Sequence, residues 1–452
     1  MWKSGKDDSQ GIGKGPVPGA DGGTNLRTGM GAGMEMDAGG GGGLSLRNLK
    51  TFSSLKNPIF RRYYGAMMGQ QAAFNMQMIT RSLLIYRLSG SAAILGVMSL
   101  AGALPSIFLS IFGGVIADRV QKKRVLLVGL VGSAVVSLGV ALALQLGYLS
   151  AESTASWWVL IVSSILHGSI LALMMPSRQA IITEIVSEER LMNAVALNAL
   201  GTSTFRLLAP AIAGLLIDGF GFEATYYVIA GLYLVAVVFI APIPLTSTMR
   251  LGEKSALMSV KEAFQYLRRE TTVLLVLLLS LVVIVLSMPT FILMPIFADD
   301  VLKVGATGMG ILMGVAGGGA IVSSFVLASL PNKKRGAMLL ISGLILALAL
   351  AVFAFSHSWY LSLAMMVFAG ASQTAVLTMS STMLLYYTAH DYTGRVMSLY
   401  VMQFGLMSFG GFFAGLLAET AGVQWAVGGF AMVLALLSIL ALALLPRIRK
   451  LD

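Results

Sequence analysis

Three ionisable side chains, Arg81, His167 and Arg206, stand inside long apolar stretches of a 452-residue chain. A cation in such a setting can hold an anion, and an imidazole can carry a proton near neutral pH. Amides gather around the first of them. Gln70, Gln77 and Arg81 fall within about 20° of one line on a helix of 3.6 residues per turn, with Gln71 and Asn75 beside them. A stripe this polar would not face lipid, so it marks a wall of an internal path. Arg81 is about 10 Å from Leu88 along a helix, so reaching out to the surface is its other option. Arg206 is roughly 18–20 Å from Asn193 and from Asp218, too far for its side chain to reach water. It should point inward, toward an anionic substrate group or, as a structural residue, toward helix carbonyls near Pro210. His167 is either a proton carrier or a packing residue. Gln373 and Gln403 are single amides in later apolar runs that could join the same path.

The elements that must position these groups follow from composition. The chain is 57% hydrophobic and 11% charged, with mean hydropathy +0.84, whereas a soluble domain carries about 25% charged residues. It must live in a membrane. A helix crossing the hydrocarbon core needs roughly 20 apolar residues, and runs of that size recur at about 62–86, 92–117, 125–147, 157–177, 192–217 and 224–245. They resume at about 272–297, 305–330, 337–356, 359–383, 395–418 and 423–445. The expected fold is all-α, with 12 transmembrane helices in two six-helix bundles, 56–245 and 272–446. A Gly-rich tail at 1–55 has nothing to bury and should be disordered; 447–452 is a short cytoplasmic tail. The linker at 246–271 should hold an amphipathic helix with Val260, Ala263, Phe264 and Leu267 on its apolar face.

Orientation follows from the cations, because Lys and Arg collect on the cytoplasmic side. With the N-terminus inside, all but four of the 31 fall there; Arg87 and Lys303 lie outside, and Arg81 and Arg206 lie within spans. Both termini are therefore expected in the cytoplasm, and the net charge of +11 reflects topology rather than nucleic-acid binding. The halves also echo each other. Lys122-Lys123-Arg124 recurs as Lys333-Lys334-Arg335, and Ala213-Gly214-Leu215-Leu216 as Ala414-Gly415-Leu416-Leu417. Glycines at Gly310, Gly314 and Gly318, and at Gly411 and Gly415, have the four-residue spacing that allows close helix contact. The 27 methionines suit an adaptable apolar cavity.

Between the second and third apolar runs stands Gly114-Val-Ile-Ala-Asp118-Arg119-Val-Gln-Lys122-Lys123-Arg124. This stretch resembles the motif between helices 2 and 3 of the major facilitator superfamily, with Gln121 in place of the second glycine. Further stretches are similar to its drug- and siderophore-exporter branch, which includes enterobactin exporters and macrolide-efflux proteins. They include Pro176-Ser-Arg178-Gln179-Ala180, Met294-Pro295-Ile-Phe-Ala-Asp299 and Gly394-Arg395-Val-Met-Ser398. The resemblance implies a conformational latch made by Gly114, Asp118, Arg119, Lys122, Lys123 and Arg124. Asp118 would face the N-terminus of the helix that begins near Arg395, a favourable place for a carboxylate. Arg119 and Arg124 would pair with carboxylates such as Asp118 or Glu184.

What this implies is a secondary transporter in the cell membrane that moves a small molecule by alternating access, most naturally by efflux of a drug-like or siderophore-like compound. An importer of the same fold is the main alternative, ahead of a receptor or membrane enzyme. The absence of cysteine removes thiolate chemistry. Neither a zinc-protease helix nor a phosphate-binding loop occurs, so no catalytic residue, metal or cofactor is expected. The expected partners are a small-molecule substrate, the lipid bilayer and conceivably a coupling proton, and a monomer suffices. Apart from Asp118 at the edge, no carboxylate falls inside a span, so a coupling proton would need His167 or an edge carboxylate. Asp118→Asn should leave membrane insertion intact and greatly reduce transport; transport at the parent rate in vesicles would count against the latch.

Overall fold

The computed structural model describes residues 54–150, 156–244, 265–330 and 333–451, with side chains throughout except at 108, 110–119, 188 and 391. The expected tail therefore lies outside the described residues but for its last two, and so does most of the central linker. Of the linker's expected apolar face, Leu267 is described and buried.

The first half comprises α1 (Pro58–Ser89), α2 (Ala92–Arg119), α3 (Lys122–Gln145), α4 (Trp158–Ile185) and α5 (Glu188–Ile240). The second comprises α6 (Thr271–Ile292), α7 (Gly305–Ser329), α8 (Arg335–Phe355), α9 (Trp359–Tyr387), α10 (Thr393–Ala421) and α11 (Val423–Leu444). Asn57 starts α1 by accepting from the backbone N–H of Ile59 at 2.9 Å, and Gly90 ends it with φ +62°. The 53 residues of α5 are two helices that meet at Gly221, whose φ of +82° breaks the ladder between the two runs expected there. Among the described residues there is no strand, and nine helices are long and apolar enough to cross a membrane. The protein is an all-α membrane protein.

Lipid replaces water around these helices, and the side chains record it. On α3, Val128, Val131, Val135, Leu138 and Leu142 form one exposed stripe at helical spacing, while Gly129, Ser133 and Ser137 are buried on the opposite face. On α8, Ile341, Ile345, Leu348 and Val352 do the same. Large apolar groups face outward because hydrocarbon is as good a neighbour for them as protein; small residues face inward because they let backbones approach.

Within the first half α1 packs on α5, α2 on α4, and α3 on α4 and α5. Within the second, α8 packs on α9 and α11, α10 on α6 and α11, and α7 on α9. Two seams join the halves: α2 against α10 and α5 against α7. The repeated Ala-Gly-Leu-Leu lands at the same place in both. A Cβ on Gly214 would come within 2.3 Å of the Ala306 carbonyl oxygen at the start of α7, and one on Gly415 within 2.6 Å of the Ala92 carbonyl oxygen at the start of α2. Four residues further along, a Cβ on Gly310 would meet the Ala211 Cα at 2.9 Å, and one on Gly96 the Phe412 Cα at 2.9 Å. The seams are thus copies of each other with the halves exchanged. On α7 the expected spacing is corrected by one position. Gly310, Gly314 and Gly317 face the α5 backbone, whereas Gly318 meets the Leu207 side chain at an ordinary 3.6 Å.

Gly214→Ala and Gly415→Ala should each wedge one seam, at a cost of about 1–3 kcal/mol for overpacking. Both should melt below the parent in a thermal-shift measurement on purified protein. Gly231→Ala, whose added methyl meets nothing within 4 Å, should melt with the parent.

Candidate functional site

A cavity of about 290 Å³ lies between the halves. From the first half α1 presents Gln77, Arg81 and Ser82, α2 presents Ser99 and Ser106, and α4 presents Ser164 and His167. The second half supplies Met288, Phe291 and Ile292 from α6, Met313 from α7, and Phe404 and Met407 from α10; Ser408 is its one polar group. The first half also lends Phe74, Met78, Met98 and Leu171, so one wall mixes polar with apolar groups and the other is almost wholly apolar.

The polar wall is built to leave donors free. The Tyr233 hydroxyl donates to Gln77 Oε1 at 3.0 Å, which fixes the amide and leaves Gln77 Nε2 without a protein partner. Arg81 Nε and Nη1 and both ring nitrogens of His167 are likewise buried and unpartnered. The imidazole is held by rings instead: Phe74 stacks on it at 6.1 Å and Tyr233 tilts against it at 6.1 Å. Buried polar atoms in folded proteins are nearly always satisfied, so such a cluster on a cavity wall marks a ligand site.

The structure sorts the residues singled out by sequence. Gln77, Arg81 and His167 meet at the cavity. Gln70 and Gln71, lower on the same stripe of α1, pack against α4 instead. Gln70 Nε2 contacts Met174 Sδ at 3.8 Å, and Gln71 Oε1 accepts from Arg178 Nη1 at 2.9 Å. Asn75 donates to the Gln71 carbonyl of its own helix at 2.8 Å. The cavity begins one turn above them, at Phe74. Gln403 joins α10 to α6, donating to the Leu277 carbonyl at 2.9 Å and accepting from Ser280 at 3.0 Å. Gln373 is buried on α9 away from the cavity lining. Arg206 is exposed and lies outside the lining of this cavity. Its backbone carbonyl packs where a Cβ on Gly317 would stand 3.0 Å away, and its helix, α5, lends no residue to the cavity lining among the described residues. Sequence reasoning missed the apolar wall, since single Met and Phe positions carry no signal before the two halves are put together. It also missed Arg178 as the partner of Gln71.

At the charged turn, Gly114, Asp118 and Arg119 lie in the last turns of α2, their side chains outside the described residues. Lys122 opens α3, is buried, and pairs with Glu184 near the end of α4. This contact joins two helices of the first half, and Glu184 has a further partner as well; of its expected partners, Arg119 has its side chain outside the described residues. Arg124 is exposed, and Lys123 has partners of its own.

Polar contacts between the halves gather at the opposite end. Arg87 at the end of α1 makes two hydrogen bonds to Asp299, at 2.8 and 3.0 Å, and Tyr86 donates to Asp300. Asp218 of α5 accepts from the backbone N–H of Thr307 in the first turn of α7 at 2.8 Å. Glu419 of α10 accepts from the backbone N–H of Ala93 in the first turn of α2 at 3.2 Å and from the Ser91 hydroxyl at 3.1 Å. The last two contacts are one arrangement used twice, a carboxylate on the late part of one seam helix facing the positive N-terminus of the other. This end is closed by charge.

Known proteins share this architecture. The family profile described as transmembrane secretion effector matches residues 49–452. An uncharacterized MFS-type transporter, YfiS of Bacillus subtilis, is 23% identical over 51% of this chain and 55% of its own length, so the chain spans about half of that relative. The staphyloferrin A transporter of Staphylococcus aureus is 24% identical over 74% of this chain and 83% of its own. The enterobactin exporter EntS of Shigella boydii is 25% identical over 80% and 84%. Among solved structures, an inward-facing, unoccupied bacterial homologue of the human lysosomal transporter Spinster superposes with TM-score 0.67 at 15% identity, covering 90% of this chain and 99% of its own.

The chain lacks cysteine, so a single cysteine at Ser82 on the cavity wall reports access. Replacing Asp218 by Asn together with Glu419 by Gln should raise its labelling by an impermeant maleimide, added at the carboxylate end, by about fivefold for each kcal/mol of closure lost. Labelling at the parent rate would mean that these contacts do not hold the end shut.

Proposed function

The chain belongs to the transmembrane secretion effector family of major facilitator transporters, and from that premise we propose that it exports a small amphiphilic compound across the cell membrane by alternating access. It is a membrane transporter rather than an enzyme. In the proposed arrangement twelve spans form two six-helix bundles, both termini lie in the cytoplasm, and the carboxylate end faces out. The distribution of Lys and Arg supports this orientation.

The observation that carries the reading is the pair of exchange-related seams with one cavity between the halves. Helices that rock against each other along α2–α10 and α5–α7 would open the cavity to one side and then the other, as in transporters built from two like halves. The charged contacts at the outer end would close that side, and the Asp118 turn would close the other. A coupling proton would act on His167 or on the outer carboxylates Asp218, Asp299, Asp300 and Glu419.

A siderophore-like cargo is favoured by two relatives, and export over import by the one whose name gives a direction. One is named an enterobactin exporter and the other a staphyloferrin A transporter. The mixed polar and apolar cavity suits molecules of that kind. Everted membrane vesicles carrying the protein should accumulate labelled siderophores from a panel several-fold faster than vesicles lacking it, with the rate changing under an imposed pH gradient if protons are coupled. Accumulation confined to right-side-out vesicles would make the protein an importer.

A further inference from the structure

Taking the cavity as the substrate path, we infer that the transported compound is an amphiphilic anion. Its negative group is held by Arg81, with Gln77 and His167 donating beside it, and its apolar body lies against the second half. The inference begins with an unbalanced charge. Arg81 has Nε and Nη1 buried and without a hydrogen-bond partner, and no aspartate or glutamate lines the cavity among the described residues. The titratable groups near enough to act on it are the phenols of Tyr226 and Tyr233 and the imidazole of His167, none of them an anion at neutral pH. A buried charge without a counter-ion is costly, and inside a membrane such residues almost always pair. Here the missing partner is the cargo.

The rest of the cavity agrees. Gln77 lies one helical turn before Arg81, so the two donors project side by side. Tyr233 engages the carbonyl of that amide and leaves its NH₂ free. An oxygen-bearing anion would satisfy both, whereas a cationic compound would meet like charge and a neutral one would leave the guanidinium unbalanced. Facing them, Met288, Phe291, Met313, Phe404 and Met407 offer no hydrogen bond of ordinary strength, so the body of the ligand must be apolar. Methionine and phenylalanine accept bodies of varied shape, aromatic ones included. A volume of about 290 Å³ lies near the lower bound of sites that take drug-sized ligands.

Dansylglycine, dansylglycinamide and dansylcadaverine share one apolar body and differ in charge. With the full chain in lipid nanodiscs, dansylglycine should bind saturably and about tenfold or more tightly than the neutral and cationic congeners. Arg81→Gln should erase that preference and Arg81→Lys should keep part of it. Binding of all three within about twofold of each other, or a preference that survives Arg81→Gln, would overturn the inference. A second readout needs no ligand. Removing an unbalanced charge should raise the melting temperature of Arg81→Gln by about 2 °C or more, and a fall would mean that Arg81 has a structural partner. Neither measurement requires transport, so a protein that keeps the anion preference yet moves nothing across vesicles would sink the transport reading and leave this one standing.

Discussion

Lipid does not push helices together. An exposed Val or Leu loses little by facing hydrocarbon, so the burial that drives a soluble fold is absent here, and association rests on close van der Waals contact and internal hydrogen bonds. Everything else in the structure follows from where backbones can come close enough. A radial gap of 0.5–1 Å forfeits a quarter to a half of the dispersion energy, so a single methyl at a seam matters more than a large side chain on the outer face. Gly96, Gly214, Gly310 and Gly415 each stand where the backbones of the two halves come too close for a methyl group. The stripe from Val128 to Leu142 is free to be merely greasy.

Contacts of that kind are good for sliding and poor for locking. Backbone packed against backbone has no deep pockets to leave, so the bias between open and closed must come from somewhere more specific. The charged end supplies it in small steps. A carboxylate facing a helix N-terminus contributes about 0.3–1 kcal/mol, and an ion pair as exposed as Arg87–Asp299, with side chains 35% and 18% accessible, contributes about 0–1 kcal/mol. Two caps and one pair therefore total a few kcal/mol at most. Driving a two-state equilibrium from 1:99 to 99:1 takes about 5.5 kcal/mol, so these contacts tilt the balance without freezing it. A permanently buried ion network would not serve the alternating access proposed above.

Much of this was legible in the residues. The lengths of the apolar runs anticipated the helices, and Gly221 broke α5 where the two runs in that region were separated. The Ala-Gly-Leu-Leu echo, a sign of two like halves in the sequence, falls at the seams, because only small residues fit a close crossing and two like halves need the same crossing twice. Gln77 and Arg81 were recognisable because an amide and a cation in a lipid-length helix must turn inward. The same logic did not place Arg206 at the cavity wall, and the wall does not include it. Distance from both ends argued for an inward-facing side chain, but α5 lends no residue to the cavity lining among the described residues. Helix phase relative to a neighbour is a tertiary property, and no periodicity within one segment contains it. The apolar wall escaped for the same reason: Met288, Met313 and Met407 become a surface only when α6, α7 and α10 are assembled.

Symmetry and its breaking divide the labour in this fold. The seams repeat in both halves down to the glycine and the capping carboxylate, and that suits parts that must move alike in two directions. The cavity does not repeat. Its donors come from α1 and α4, while α6, α7 and α10 present almost no polar group. A motion generated by equivalent seams therefore carries an unequal site, which can orient its cargo with the polar end on one half and the apolar end on the other. Substitutions on the cavity wall can then change what is carried without disturbing how the halves move. Conversely, the glycines and caps of the seams can be kept while the cargo changes. Relatives at about a quarter identity can share this mechanical frame for that reason, and it is the unbalanced guanidinium of Arg81, rather than the fold, that says what kind of molecule this chain is fitted to accept.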